Sequence, residues 1–371
     1  MNKLRTAIIG TGKAASMHAK ALKNIDVCEF VAVHSRSIDK AKDFANSYNI
    51  KPYSDIASMI SNERIDIVVI CTPHPAHRSG AITAIESGAH VLVEKPLASS
   101  LEDCDAMISA AKKKKKKLGV VSQRRFLEPS QRMKKAIDSG KIGKPVLGMV
   151  MLLGWRDELY YNSDAWRGNW AEEGGGVLVN QAPHQLDLLQ WFMGDEIDEV
   201  YGIWKNFNHP SIEVDDTSVA IINFKNGSVG NIVVSNSQKP GLFGKVHIHG
   251  SNGASVGVQT DGGAMFIAGV SNVLEPPKND IWTIIDEENL LTEWQKEDSA
   301  FFNTIDPIEY YIRLQDQDFI SSVLENREPL VTAKEGRKTV EIFTAIYRSM
   351  KTKQPVKWPV RITKPPLQNN L

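Results

Sequence analysis

The sequence predicts an α/β chain whose N-terminal third is a doubly wound parallel sheet of the Rossmann type. The C-terminal part is predicted as an α+β domain with a large, mostly antiparallel open sheet. Three observations support this. At 371 residues the chain exceeds what one ordinary hydrophobic core organises. Its first 122 residues alternate short apolar runs with helical stretches, the signature of βαβ units. From about Pro145 onward, strand-like runs follow one another across tight turns, which favours antiparallel pairing. The expected domains are therefore 1–122, the doubly wound one, and 123–371, the α+β one.

In order, Thr6–Ile9, Phe30–His34, Ile65–Cys71, Val91–Val93 and Leu118–Ser122 read as strands. Between them Lys13–Leu22, Ile38–Tyr48, Gly80–Ser87 and Leu101–Lys116 read as helices, and right-handed crossovers place these on both faces of the sheet. In the second part Val146–Leu153, Val200–Asn206, Thr217–Phe224, Ser228–Ser235 and Lys245–His249 are strand-like. One helix, Gly176–Met193, interrupts them, and a last one, Gly336–Met350, precedes a proline-rich tail (Pro355, Pro359, Pro365, Pro366).

Composition narrows the function classes. The chain is 42% hydrophobic and 24% charged, with 44 basic and 44 acidic residues. No global field then draws it to nucleic acid or a membrane, so a phosphate-bearing ligand must be held by local groups. The lysine run 112–117 falls at a helix end, where cations complement the dipole, and carries no interleaved aromatics. Three scattered cysteines, Cys28, Cys71 and Cys104, form no CxxC pair and suit a reducing compartment. The N-terminal apolar run breaks at Gly10, too early for a signal peptide, so the expected location is cytoplasmic. His247 and His249 share one strand face, but without a third ligand nearby no metal site is expected.

The segment Gly10-Thr11-Gly12-Lys13-Ala14-Ala15 is a GxGxxA loop between a predicted strand and a predicted helix. Gly10 permits the tight turn, Gly12 lets backbone approach a pyrophosphate, and Ala15 allows close helix packing; the competing reading is a purely structural βα turn. At the end of the second strand, where NAD enzymes usually carry a carboxylate for the ribose hydroxyls, the chain has Ser35-Arg36 and no acid before Asp39. A hydroxyl and a guanidinium suit a 2′-phosphate, so NADP is favoured over NAD. After the third strand, Thr72, Pro73, His74 and His77 lie on a stiff loop at the carboxyl edge of the sheet, where α/β proteins bind ligands. For each histidine alone, a capping or surface role competes.

Glu94-Lys95-Pro96, following the fourth strand, joins these cofactor-edge candidates. Together with the glycine loop, with 173–187 (Glu173-Gly174-Gly175-Gly176, then Asn180, His184 and Asp187) and with 328–349, it resembles the Gfo/Idh/MocA oxidoreductase family across nearly the whole chain. The resemblance implies that His184 acts as acid/base while Lys95 hydrogen-bonds the reacting oxygen; in some members the lysine carries the proton. Many relatives have Asp where this chain has Asn180, so Asn180 is expected to position rather than to transfer a proton. It also implies a homodimer or homotetramer that covers the open sheet.

Read from the residues, Asn180, His184 and Asp187 share one face of a helix spanning 176–193, opposite Leu186, Leu189 and Met193. Asp187 would orient His184 or meet a sugar hydroxyl. Tyr160, Arg167 and Trp170 are candidates for gripping a polyhydroxylated ring, against an alternative of plain packing. Arg124 and Arg125 would bind a substrate phosphate or form structural salt bridges. The expected function is an NAD(P)-dependent dehydrogenase or reductase of a ring secondary alcohol or ketone in a sugar or inositol. The alternatives are a reductase of smaller carbonyls, dihydrodiols or imines, and a non-catalytic dinucleotide-binding regulator.

Overall fold

The computed structural model describes residues 3–239, 243–261 and 275–362. The tail prolines Pro365 and Pro366 lie outside them. The chain divides into two compact units, Met1–Gln123 with Asp306–Val340, and Arg124–Ile305 with Glu341–Leu371. The division is not sequential, because a late segment folds with the first unit.

In the first unit β1 (Leu4–Ile9), β2 (Cys28–His34), β3 (Lys51–Tyr53), β4 (Ile67–Ile70), β5 (His90–Val93) and β6 (Leu118–Val120) pair in the order β3-β2-β1-β4-β5-β6, all parallel. The order reverses between β1 and β4, which puts the ligand edge at their carboxyl ends. Helices α1 (Lys13–Lys23), α2 (Ile38–Tyr48), α3 (Ile56–Glu63), α4 (His77–Glu86) and α5 (Leu101–Lys114) are the crossovers. The short pair β3 and α3 has no counterpart in the sequence expectation: Lys51-Pro52-Tyr53 is too brief to show alternation.

The second unit begins with α6 (Glu128–Asp138) and β7 (Pro145–Leu153), followed by the short α7 (Glu158–Asn162), α8 (Val177–Asn180) and α9 (Pro183–Met193). Strands β8 (Ile197–Lys205), β9 (Thr217–Phe224), β10 (Val229–Ser235), β11 (Phe243–Gly250), β12 (Ser255–Asp261) and β13 (Lys278–Trp282) complete the sheet, and α10 (Leu290–Phe302) follows. Beyond it run α11 (Pro307–Leu324), α12 (Ala333–Thr352) and the two-residue β14 (Val356–Lys357). The eight strands lie in the order β13-β12-β11-β7-β10-β9-β8-β14, antiparallel except for the β7–β10 pair. One face buries Val150, Ala220, Ile222, Ile232 and Val246. There α9 presses so close to β7 that a Cβ on Gly148 would stand 2.5 Å from Leu189. The opposite face leaves Tyr201, Ile203, Val219 and Ile221 exposed, cross-paired as Tyr201–Ile221 and Ile203–Val219.

The late segment joins the first unit through α11, whose Ile312, Phe319 and Ile320 share a core with Ala15, Ala19 and Leu22 of α1. Asp306 caps α11 by accepting from the Ile308 and Glu309 amides, and Pro307 occupies its first turn. No helix among the described residues is long and apolar enough to cross a membrane.

Candidate functional site

In the first unit the glycine loop joins β1 to α1. Gly10 has φ +114°, and a Cβ there would lie 2.6 Å from the Cys71 carbonyl oxygen at the end of β4. Only glycine fits, because the neighbour is backbone. Gly12 is the N-cap of α1 with open space where a Cβ would stand, and no side chain caps the helix. The first-turn amides of α1 are thus left to an approaching anion. Thr11, Lys13 and Ala14 line this turn at the surface or half-buried. Across the switch point, the buried Thr72 hydroxyl finds no partner among the described residues. A glycine cradle, an uncapped helix start and an orphan hydroxyl at one sheet edge fit a dinucleotide pyrophosphate.

Ser35 and Arg36 sit just past β2. Ser35 receives a long bond from the Ser37 amide at 3.4 Å, and Arg36 is exposed. Pro73 is exposed at the same edge. His74 and His77, by contrast, are buried. One ring nitrogen of His77 faces the Pro96 and Leu97 carbonyls at 3.0 and 3.3 Å, and the other faces Thr72 O at 2.8 Å. His77 therefore clamps the 72 and 96 loops together instead of presenting its ring to a ligand, because both edges are taken by backbone.

Glu94 behaves likewise. Its carboxylate accepts from the Lys95 amide at 3.0 Å and from His18 Nε2 at 3.2 Å, while His18 Nδ1 reaches Asp316 at 2.9 Å. His18 is fully buried, and burial alone would favour a neutral ring. The two flanking carboxylates, Asp316 foremost, outweigh that and raise its pKa to about 10. Burial pushes Glu94 up as well, but His18 and Lys95 outweigh it and keep the carboxyl ionised. Lys95, half-buried, is thus carried on a segment fixed from both sides. His18 and Asp316 were not singled out in the sequence. A histidine eight residues past Gly10 is visible there, but its partner comes from α11.

The second unit holds the other candidates. The expected single helix over 176–193 is instead two, α8 and α9, joined through Gln181 and Ala182. Pro183 has no N–H to donate, and the Ala182 amide reaches back five residues to Val177 O at 2.9 Å. His184 is buried in the first turn of α9. Arg125 grips both carboxylate oxygens of Asp187 at 2.7 and 2.8 Å. Arg124 pairs with Asp261 at 2.5 Å, so both arginines form structural ion pairs. His247 is also paired, to Asp280 at 2.9 Å.

Tyr160, Arg167 and Asn180 come together. The buried Tyr160 hydroxyl receives Arg167 Nη1 at 2.7 Å, Gln181 Nε2 at 2.6 Å and Asn180 Nδ2 at 3.1 Å. The Asn180 amide also donates to Glu173 at 2.6 Å, and Glu173 accepts the Gly168 amide at 2.6 Å. Burial raises the Glu173 pKa to about 7 against these hydrogen bonds. Trp170 is a packing residue: its Nε1–H donates to Glu213 O at 3.1 Å, and its ring meets Trp204 and Tyr347 edge-on. Glu173 and Gln181 belong to this group, though nothing in their spacing singles them out.

The comparisons with known proteins agree with this construction. Residues 4–122 match the model of the oxidoreductase family with an NAD-binding Rossmann fold, and residues 130–256 match the GFO/IDH/MocA C-terminal domain. Among similar curated proteins is the myo-inositol 2-dehydrogenase of Thermotoga maritima, 29% identical over 67% of this chain and 74% of that protein. Another is an oxidoreductase of Formosa agariphila, 30% identical over 61% of this chain and 70% of that protein. Among solved structures, the WlbA dehydrogenase of Bordetella pertussis, in complex with NADH and UDP-GlcNAcA, superposes with a TM-score of 0.84. It is 27% identical and covers 97% of this chain and 99% of its own. A glycine cradle on a 3-2-1-4-5-6 sheet in the first unit, a mostly antiparallel sheet in the second and matches to both family domains place the chain in the GFO/IDH/MocA family of nicotinamide-dependent oxidoreductases.

Proposed function

We propose that the chain oxidises a secondary ring alcohol of a sugar or inositol to the ketone, or reduces the matching ketone, with NADP(H) favoured over NAD(H). The observation that carries this is the immobilised Glu94-Lys95-Pro96 segment: His18 holds its acid and His77 its carbonyls, on the sheet edge that also bears the glycine cradle. A lysine fixed at a cofactor edge suits chemistry at a developing alkoxide, where a preorganised donor has the greatest effect. When bound, the nicotinamide would accept or return the hydride. Lys95 then hydrogen-bonds the reacting oxygen, and His184 takes or returns its proton. Inositol dehydrogenases among the relatives, and a sugar nucleotide in a similar solved structure, support the substrate class.

Glycine cradle, Thr72 and the α1 amides hold the pyrophosphate, while Ser35 and Arg36 receive the ribose phosphate. Tyr160, Arg167 and Asn180 hold the substrate ring. The exposed row of Tyr201, Ile203, Val219 and Ile221 is an apolar sheet face that supports assembly as a homodimer or homotetramer. The test is a panel of pyranoses, inositols, uronic acids and sugar phosphates with either cofactor, followed by absorbance of the reduced nicotinamide. Cofactor binding without turnover of any ring alcohol or ketone would overturn the proposal.

A further inference from the structure

We propose that Arg156 is a binding site for an oxyanion, a carboxylate or phosphate, carried by the ring substrate. This rests on the dehydrogenase reading above and deepens it. Arg156 follows β7, and its main chain is tied at both ends: its amide donates to Asn236 O at 3.0 Å, and its carbonyl accepts from His209 Nε2 at 2.7 Å. The side chain is therefore placed, not loose. It is only 5% exposed, yet no carboxylate pairs with it among the described residues. Its Nη1 donates to the Trp155 carbonyl at 3.1 Å, its guanidinium carbon lies 5.3 Å from the Tyr160 ring centroid, and its buried Nε has no partner.

The same unit shows how the fold treats its other buried and half-buried guanidinium groups. Arg125 is matched to Asp187, Arg124 to Asp261 and Arg132 to Asp298. A buried cation without a counter-charge is costly to maintain, so an unmatched one points to a charge supplied from outside. Asp261, the carboxylate whose field reaches Arg156, is already held by Arg124 and Gln185.

The surroundings favour an anion. Arg167 stacks on the Tyr160 ring at 4.3 Å, and Lys239 stands 4.0 Å over the ring of Trp155. The nearby acid, Glu173, turns its oxygens to Gly168 and Asn180. Trp155, Arg167, Asn180 and Gln181 are half-buried, which leaves the group approachable. Planar guanidinium donors match a carboxylate or phosphate in a two-bond geometry.

The experiment uses the full chain and matched pairs of ring alcohols at constant ionic strength: glucose with glucuronate, and glucose with glucose phosphate. Wild type should favour one anionic member in kcat/KM, the carboxylate and phosphate arms telling the sources apart. Arg156→Gln should lower the anionic-to-neutral ratio by about tenfold or more, chiefly through KM, and Arg156→Lys should recover part of it. A second readout needs no variant and no turnover: glucuronate or glucose phosphate should raise the melting temperature of wild type more than glucose does. If neither anion stabilises wild type beyond glucose, or the ratio is unchanged in a folded Arg156→Gln, the assignment is wrong. Preferential anion binding without turnover would instead sustain Arg156 and overturn the dehydrogenase reading.

Discussion

Asp316 on α11 meets Nδ1 of His18 on α1 at 2.9 Å, across 298 residues of sequence, and the other ring nitrogen faces Glu94. A late helix thereby braces the loop that carries Lys95. Because the folded pKa of His18 is raised from 6.5 to about 10, its contribution to stability is complete below pH 6.5 and is lost as the pH climbs through 10. His18→Gln leaves two buried carboxylates without their shared cation and should destabilise the fold by about 3 kcal/mol near neutral pH. Thermal melts of wild type and variant from pH 6 to 10 should converge at the alkaline end. Parallel curves would refute a charged His18.

Gly10 and Gly12 should respond in opposite ways to the same methyl group. Gly10→Ala forces a Cβ into the Cys71 carbonyl at a positive φ, where neither partner can move, so the melting temperature should fall by several degrees. At Gly12 the φ is −84° and the space is open, so Gly12→Ala should fold normally but weaken cofactor binding by about tenfold. Melting curves and cofactor titrations of the two variants check this. Unimpaired binding by Gly12→Ala would remove the cradle from the cofactor site.

Much of this was legible in the sequence wherever one local signal decided the structure. The strand–GxGxxA–helix unit and the lysine after the fourth strand needed no distant partner to be read. The helix over 176–193 reads as continuous in the sequence, whereas Pro183, which has no N–H to donate, opens a second helix. The spacing that singled out Asp187 gave no sign of its partner Arg125, sixty-two positions earlier. The start of α11 was readable in Asp306-Pro307, a cap followed by a first-turn proline. Its destination was not, since long-range docking of α11 on α1 leaves no local trace.

Lys95→Ala and His184→Ala should each lower turnover by about 100-fold or more, with cofactor affinity largely retained. Lys95 extends from a braced loop and His184 sits at the start of α9, so neither holds the glycine cradle together. Steady-state rates and cofactor titrations on both variants make the test. Near-wild-type turnover in both would end the proton-transfer assignment. If one alone falls, the larger loss identifies the chief proton carrier.

Arg36 is exposed beyond β2, with no ion pair among the described residues to compete for it. Arg36→Ala should weaken NADP binding by about tenfold, the scale of a charge-assisted hydrogen bond, and NAD binding far less. Titrating both cofactors into both proteins compares them directly. An equal effect on the two would remove Arg36 from 2′-phosphate recognition.

Glu173 shifts stability with pH in the same direction as His18, but in a lower window. Its pKa rises from 4.5 to about 7 on folding because burial outweighs the bonds from Gly168, Asn180 and the charge of Arg167. Between those values the unfolded chain releases a proton that the folded chain keeps, so stability falls as the pH rises through this window, by roughly 3 kcal/mol, and is level above it. Glu173→Gln cannot titrate, but it offers one carbonyl oxygen where two acceptors are used. It should therefore be less stable than wild type at pH 5 and lose that deficit by pH 8. Denaturant unfolding across this range reads the crossing, and a constant gap would mean that Glu173 is ionised throughout. The same proton sits one hydrogen bond from Asn180, so its loss near neutral pH strengthens the acceptor that fixes the Asn180 amide against Tyr160.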